Sequence, residues 1–231
     1  MKPYILKTLD LRNHKGRVFF TTDLHAHFYL LEKKYQEVDF DFRTDILIVG
    51  GDCLDRGLQN NLFFDYIDNP WVHCIRGNHE ELFIQTFVDN FKGAAARCLY
   101  ENGGEWVFNL YDNGHYDFLK LIYDFLIKLP LAIEVITDKE KIGIVHAQVP
   151  KNNWNSLYKM SNRYLEDFGM SELQWSRENY DNRSEIIVKG VDRVLVGHKP
   201  TKSLEIEILG NTWYCDLGAF YSKKIAFLQI K

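Results

Sequence analysis

The chain has 231 residues, 46% of them hydrophobic, a net charge of −4 and four cysteines. That length supports one substantial core, while no apolar run approaches the roughly 18 residues of a membrane span. The N-terminus carries no long apolar stretch, so no signal peptide is expected. The mild negative charge, with no block of like charges, argues against a nucleic-acid scaffold. Cys53, Cys74, Cys98 and Cys215 match no zinc or redox spacing, which predicts reduced thiols in a cytoplasmic setting.

In chain order, Arg17 to Thr21 reads as a strand and His27 to Val38 as a helix with Phe28, Leu31 and Tyr35 on one side. Asp45 to Gly50 is apolar without alternation, the pattern of a strand covered on both faces. A helix over Leu58 to Ile67 and a strand over Trp71 to Ile75 complete two β-helix-β crossovers, which come with layered α/β architecture. Glu81 to Phe91, Ala94 to Tyr100 and Tyr116 to Ile127 read as helices around a Gly103-Gly104 break, a helical cap or insertion over about 81–129. Strands resume at Leu131 to Ile136 and Lys141 to Val145, joined by a Thr137–Glu140 turn. Further strands are expected at Leu204 to Leu209, Thr212 to Cys215 and Lys224 to Ile230, with a tight turn at Gly210-Asn211. One domain over 1–231 is the simplest account.

Five of these apolar stretches end in metal-capable or acid/base side chains. Asp23 and His25 follow Val18-Phe19-Phe20, Asp52 and Asp55 follow the run to Val49, and Asn78 and His79 follow Ile75. His146 follows Ile144-Val145, and His198 follows Val194-Leu195-Val196. In open α/β sheets ligands gather beyond the carboxyl ends of strands, so these side chains are expected on one rim. Carboxylates, imidazoles and an amide suit divalent metals, and the set is richer than one ion needs, so two ions sharing a carboxylate fit it better. Taken singly, Asp23 could cap the helix near His27 and His146 could be an ordinary strand-end histidine.

These blocks resemble the signatures of the metallophosphoesterase (calcineurin-like) superfamily, most closely its phage and bacterial serine/threonine protein phosphatases. The matching stretches are Asp23-Leu24-His25, Gly51 to Gly57, Arg76 to Glu80, His146-Ala147 and Gly197-His198. Asn102-Gly103-Gly104, Trp175-Ser176-Arg177 and Asp216 to Ala219 add to them. The resemblance implies an α/β four-layer fold, a central sandwich of two mixed sheets flanked by helices. It implies Asp23, His25 and Asp52 around one ion, and Asp52, Asn78, His146 and His198 around the second. Manganese is the expected metal, with iron, zinc, nickel or magnesium as alternatives. His79 would be the general acid oriented by Asp55, and Arg56 and Arg177 would hold the phosphate with help from Asn78. The implied reaction is in-line attack on a phosphomonoester by a water or hydroxide bridging the ions.

The expected substrate is a phosphorylated protein or peptide, with small aryl phosphates also accepted and inorganic phosphate released. A dinucleoside polyphosphate hydrolase or cyclic-nucleotide phosphodiesterase is the alternative. A nuclease or a non-enzymatic metal-bound scaffold ranks lower. The sequence departs from the family pattern at Thr22 and Ala26, where glycines are usual, at Gln148 and at Lys199. Ala26 predicts a mildly strained loop, and Lys199 is expected to face solvent. Cys53 is read as a packing residue, His27 as a solvent-facing helix start, Glu80 as a helix-capping acid, and Trp106, Phe108 and Tyr111 as core before cleft wall.

Overall fold

The computed structural model describes residues 4–160 and 170–231. In chain order its strands are β1 (Leu6–Asp10), β2 (Val18–Thr21), β3 (Ile46–Val49), β4 (Val72–Cys74), β5 (Ala132–Ile136), β6 (Lys141–Val145), β7 (Arg193–Val196), β8 (Glu207–Leu209), β9 (Thr212–Tyr214) and β10 (Leu228–Gln229). The helices are α1 (Tyr29–Glu37), α2 (Phe63–Ile67), α3 (Asn78–Val88), α4 (Gly93–Leu99), α5 (Glu105–Asp112), α6 (Tyr116–Leu126), α7 (Met170–Trp175), α8 (Glu178–Asp181) and α9 (Ala219–Ser222). Among the described residues no helix is long and apolar enough to cross a membrane.

The strands form two mixed sheets, β10-β2-β3-β4 and β1-β5-β6-β7-β9-β8. Within the first, β2, β3 and β4 are parallel and β10 is antiparallel to β2. Within the second, β6, β7 and β9 run parallel, while β5 and β8 oppose their neighbours β6 and β9. The alternation of side chains along each strand builds three cores. Val18, Phe20 and Ile48 face Ile133, Val135, Ile142, Ile144 and Leu195 between the sheets. Phe19, Leu47 and Val49 point the other way, onto a helical layer contributed by α1 to α6. Ala132, Val145, Val194 and Val196 pack outward against Trp154, Leu157, Leu173 and Tyr180. Both faces of each central strand are therefore covered, which is why the sequence of β3 shows no polar alternation.

The structure adjusts several sequence expectations. The strand β1 was not anticipated; it pairs parallel with β5, 126 register positions away in sequence as Leu6 opposite Ala132. The helix α3 starts at Asn78 rather than Glu81 because the Glu80 carboxylate accepts the Gly77 N–H at 2.8 Å and holds the first turn. The segment after the Gly103-Gly104 break is helical as α5, not merely an aromatic stretch. The stretch Leu204 to Leu209 is strand only from Glu207, since Leu204 sits at φ +55°. Lys224 to Ile230 is strand only over Leu228–Gln229, following a left-handed turn at Lys223.

Candidate metal centre

The parallel strands β2, β3 and β4 all end at one rim, and the loops that follow are joined through their backbones. Asp23 N donates to Gly51 O, His25 N to Asp52 O and Ala26 N to Cys53 O, at 2.8–3.1 Å. The second sheet meets this rim where His146 Nδ1 donates to Gly50 O at 2.8 Å and Gly197 N donates to His146 O at 2.8 Å. Gly77 allows a close approach: a Cβ there would lie 2.2 Å from Asp52 Oδ1, so no other residue fits without displacing that carboxylate.

Two groups of buried donor atoms result, His25 with Asp52 and His79, and Asp52 with His146 and His198. Asp52 belongs to both. Its Oδ2 lies 3.7 Å from His25 Nε2 and 3.9 Å from His79 Nε2, and its Oδ1 lies 3.4 Å from His146 Nε2. Asn78 Oδ1 completes the second group, 2.8 Å from His146 Nε2 and 2.9 Å from His198 Nδ1. Backbone carbonyls fix the imidazole tautomers, as outer partners of metal-ligating histidines do. His25 Nδ1 donates to Leu54 O at 3.0 Å, and His146 Nδ1 donates to Gly50 O, so both Nε2 atoms face inward. His198 Nε2 lies 3.1 Å from Trp175 O and 3.2 Å from Arg177 Nε, contacts that ask for opposite tautomers. The carbonyl contact is the one that leaves Nδ1 bare toward Asn78.

Asp23 stands at the same rim but outside both groups. Its carboxylate oxygens accept the His198 N–H at 3.0 and 3.1 Å, and Oδ2 also accepts the Thr22 hydroxyl at 2.6 Å. The electrostatics suit cations. Burial, the Asp216 charge and the Asp52 charge push the Asp23 carboxyl well up, while His146 pulls the other way. Burial opposes charge on His146 as well, yet Asp52 and Asp23 lift its imidazole to about 10. A proton drawn this strongly onto a buried imidazole marks a site whose surplus negative charge a divalent ion would offset. Burial and the His79 charge hold His25 well down, and burial with the His146 charge takes His198 to about 3; both are thus neutral, as ligation requires. The donor set fits a pair of divalent cations.

Beside the donors, His79 Nδ1 donates to Asp55 Oδ2 at 2.7 Å, both residues being buried. Burial resists charge on His79, but Asp52 and Asp55 raise its pKa. Arg56 Nη2 lies 3.0 Å from His79 Nε2, and its guanidinium stacks over Phe220 at 4.7 Å. Arg56 and Arg177 are the exposed members of the constellation, rising above a buried floor. The strap that carries Arg177 is held by Gln148, whose Oε1 accepts from Ser176 Oγ and Asn179 N, each at 3.1 Å.

Other residues fall outside direct roles or differ from expectation. His27 is buried, not solvent-facing: Nδ1 donates to His25 O at 2.6 Å and Nε2 accepts from Lys223 Nζ at 3.0 Å. Arg76 pairs with Glu81 at 2.9 Å in the interior. Lys199 reaches Asp181 at 3.4 Å on the surface. Cys53 is buried beside Cys74, Sγ to Sγ 3.6 Å, and burial pushes its thiol well up, the opposite of a nucleophile. Two buried acids carry more than the sequence suggested. Glu80 holds the loop of Asp52, and Asp216, lifted to about 6 by burial and by the Asp52 charge, adds to the negative field. Their position as acids just beyond a strand or helix start was the available signal.

Two mixed sheets sandwiched between helices, with paired donor clusters where their rims join, define a metallophosphoesterase architecture. The sequence profile of the calcineurin-like phosphoesterases matches residues 16–218, and the chain belongs to that family. It is 26% identical to serine/threonine-protein phosphatase 2 of Escherichia coli (strain K12) over 222 residues, 95% of each chain. It is also 26% identical to serine/threonine-protein phosphatase 1 of Salmonella typhimurium (strain LT2) over 227 residues, 98% of this chain and 97% of the other. Among solved structures, a putative diadenosine tetraphosphatase superposes with a TM-score of 0.58 at 16% identity, covering 96% of this chain and 97% of its own. At that identity the likeness is one of fold.

Proposed function

We propose that the chain is a metal-dependent serine/threonine protein phosphatase, hydrolysing phosphoserine and phosphothreonine in proteins and also small aryl phosphates. The observation that carries the reading is the division of Asp52, with Oδ2 toward His25 and His79 and Oδ1 toward His146, beside a buried His79–Asp55 pair. The names of the bacterial relatives supply the substrate class. Residues 1–231 act in this reading as one domain, with the helices over about 81–129 as its cap.

Asp23, His25 and Asp52 would hold one cation, and Asp52, Asn78, His146 and His198 the other, manganese being the favoured metal. When bound, the ions would neutralise phosphoryl oxygens and acidify the attacking water. Arg56 and Arg177 grip the phosphate with planar, permanently charged forks, and Asn78 adds a polar contact. Gripping phosphate draws Arg56 away from His79 Nε2, which frees that nitrogen to carry a proton. His79 then protonates the leaving serine or threonine oxygen, while Asp55 keeps the ring turned by holding Nδ1–H. The products are the dephosphorylated protein and inorganic phosphate.

The test is metal-free protein reconstituted with manganese and assayed in parallel on a phosphothreonine peptide and diadenosine tetraphosphate. Turnover concentrated on the peptide upholds the proposal. Turnover concentrated on the nucleotide moves the substrate to the dinucleoside polyphosphates, and none on either sinks the enzymatic reading.

A further inference from the structure

The Asn102-Gly103-Gly104 turn and the start of α5 have no part in the chemistry above, yet they reach the Asp55-Arg56 loop directly. Gly103, at φ +93°, accepts the Arg56 N–H on its carbonyl at 3.0 Å. A Cβ at this position would lie 2.7 Å from Arg56 N, so glycine is what permits the approach. Three residues on, the half-buried Trp106 donates its indole N–H to Asp55 Oδ1 at 2.7 Å. The other oxygen, Oδ2, holds His79 Nδ1–H at 2.7 Å. Trp106 also stacks on Phe83 of α3, the helix that carries His79, with centroids 6.1 Å apart and planes 19° apart.

A carboxylate with a single partner can turn about its own Cβ–Cγ bond and carry that partner with it. A second donor on the opposite oxygen fixes the plane of the group, and the imidazole bonded to it inherits that orientation. We propose that Trp106 is a positioning residue for the proton donor, acting through Asp55 on His79. The inference rests on the reading of His79 as general acid. It gives the helical layer a role in catalysis, because α5 supplies the indole and the turn before it holds the neighbouring Arg56.

The test is Trp106→Phe, which keeps a ring against Phe83 and removes the N–H. Manganese-loaded wild type and variant are compared on phenyl phosphate, whose leaving group needs a proton, and on 2,4-dinitrophenyl phosphate, whose leaving group does not. The expected result is a fall in kcat of about 10- to 100-fold on phenyl phosphate, the range of one hydrogen bond to a charged group. The dinitrophenyl ester should change less than about twofold and KM should hold for both, as a pure orientation effect requires. In an Asp55→Asn background the Phe substitution should add nothing. Equal losses on both esters, no loss, or an additive loss in the Asp55→Asn background overturns the inference. Trp106→His, which keeps a ring N–H, is read in the same way if the Phe variant does not fold, with a smaller selective loss expected. His79→Ala separates the two levels. A selective loss there upholds the general acid, so an unselective Trp106→Phe then overturns the positioning role alone. An unselective His79→Ala overturns both.

Discussion

Glu80 is buried completely, and its carboxylate accepts three backbone N–H groups: Oε2 takes Asp52 N and Gly77 N, and Oε1 takes Cys53 N, each at 2.8 Å. Burial and the Asp52 charge push its carboxyl up, against which the amides of Asp52 and Cys53 pull. Glu80→Gln keeps the shape but has one acceptor oxygen. Set toward Asp52 and Gly77, that oxygen leaves the new NH2 facing the Cys53 N–H. One charge-assisted bond is then lost, worth about 1.5–3 kcal/mol, and a buried N–H is stranded at about 1–3 kcal/mol. The two figures partly describe the same contact, so the expected cost is about 3 kcal/mol, or roughly a hundredfold in the folding equilibrium. Glu80→Ala strands all three donors and should cost about 3–9 kcal/mol, a large share of the 5–15 kcal/mol that folded domains have. Guanidinium denaturation in the presence of a chelator isolates this from metal linkage. A Glu80→Gln midpoint unchanged at constant m would show that the loop of Asp52 does not depend on this carboxylate.

Gly77→Ala drives a Cβ to 2.2 Å from Asp52 Oδ1, so the shared carboxylate must move and the bound metal should fall below two ions per chain; elemental analysis showing two ions and full activity would refute it. Arg56→Ala should leave metal content unchanged and weaken inhibition by inorganic phosphate about 10- to 100-fold, as loss of a charged fork implies; unaltered phosphate inhibition would remove Arg56 from the phosphate site. Trp154→Phe removes the indole donor from the buried Glu134 at 2.8 Å, while Tyr158 still donates at 2.5 Å. The expected loss is about 1–3 kcal/mol, a drop of about 2–4 °C in Tm per kcal/mol for a chain of this size, and calorimetry detecting no shift would contradict it.

The site floor was legible because its side chains sit immediately after apolar runs. Asp23, Asp52, Asn78, His146 and His198 all follow strands that the sequence marks clearly, and strand direction does the rest by bringing the carboxyl ends together. What was illegible is nonlocal. Glu80 acts on Asp52 and Cys53 across 28 and 27 residues, and the buried His27 is hydrogen-bonded by Lys223, 196 residues away. Neither contact leaves a local periodicity to read. Trp106 carried an ambiguous signal, since an aromatic at the start of a helix is as suited to core as to a polar bond. The strand β1 was invisible because its pairing with β5, not its mixed Leu6–Asp10 composition, makes it a strand. The short β8 and β10 failed for the reverse reason: their apolar content is real, but the left-handed residues Leu204 and Lys223 upstream delay the start of extended backbone.

Strain explains how so many donors meet in so small a volume. Asp23, His25, Ala26, Asp52, Asp55, Arg56 and His198 all lie in the left-handed region, with φ from +44° to +70°. Such conformations cost on the order of 1 kcal/mol or more per residue and persist only where the surroundings over-determine them. Here each of the seven has its N–H committed. Asp23, His25 and Ala26 donate to the carbonyls of Gly51, Asp52 and Cys53, and Arg56 donates to Gly103. Asp52 donates to Glu80, Asp55 to the Asn60 side chain and His198 to the Asp23 carboxylate. The left-handed turns are thus tied in place by acceptors drawn, for all but Asp55, from other loops, and alanine at position 26 is tolerated because its amide is tied no less firmly than its neighbours'. A site held this way is ordered by the chain itself. In the proposed scheme, residues such as Glu80, Asn60 and Gly103, which touch no reacting atom, would act on metal affinity and proton transfer through the backbone of those that do.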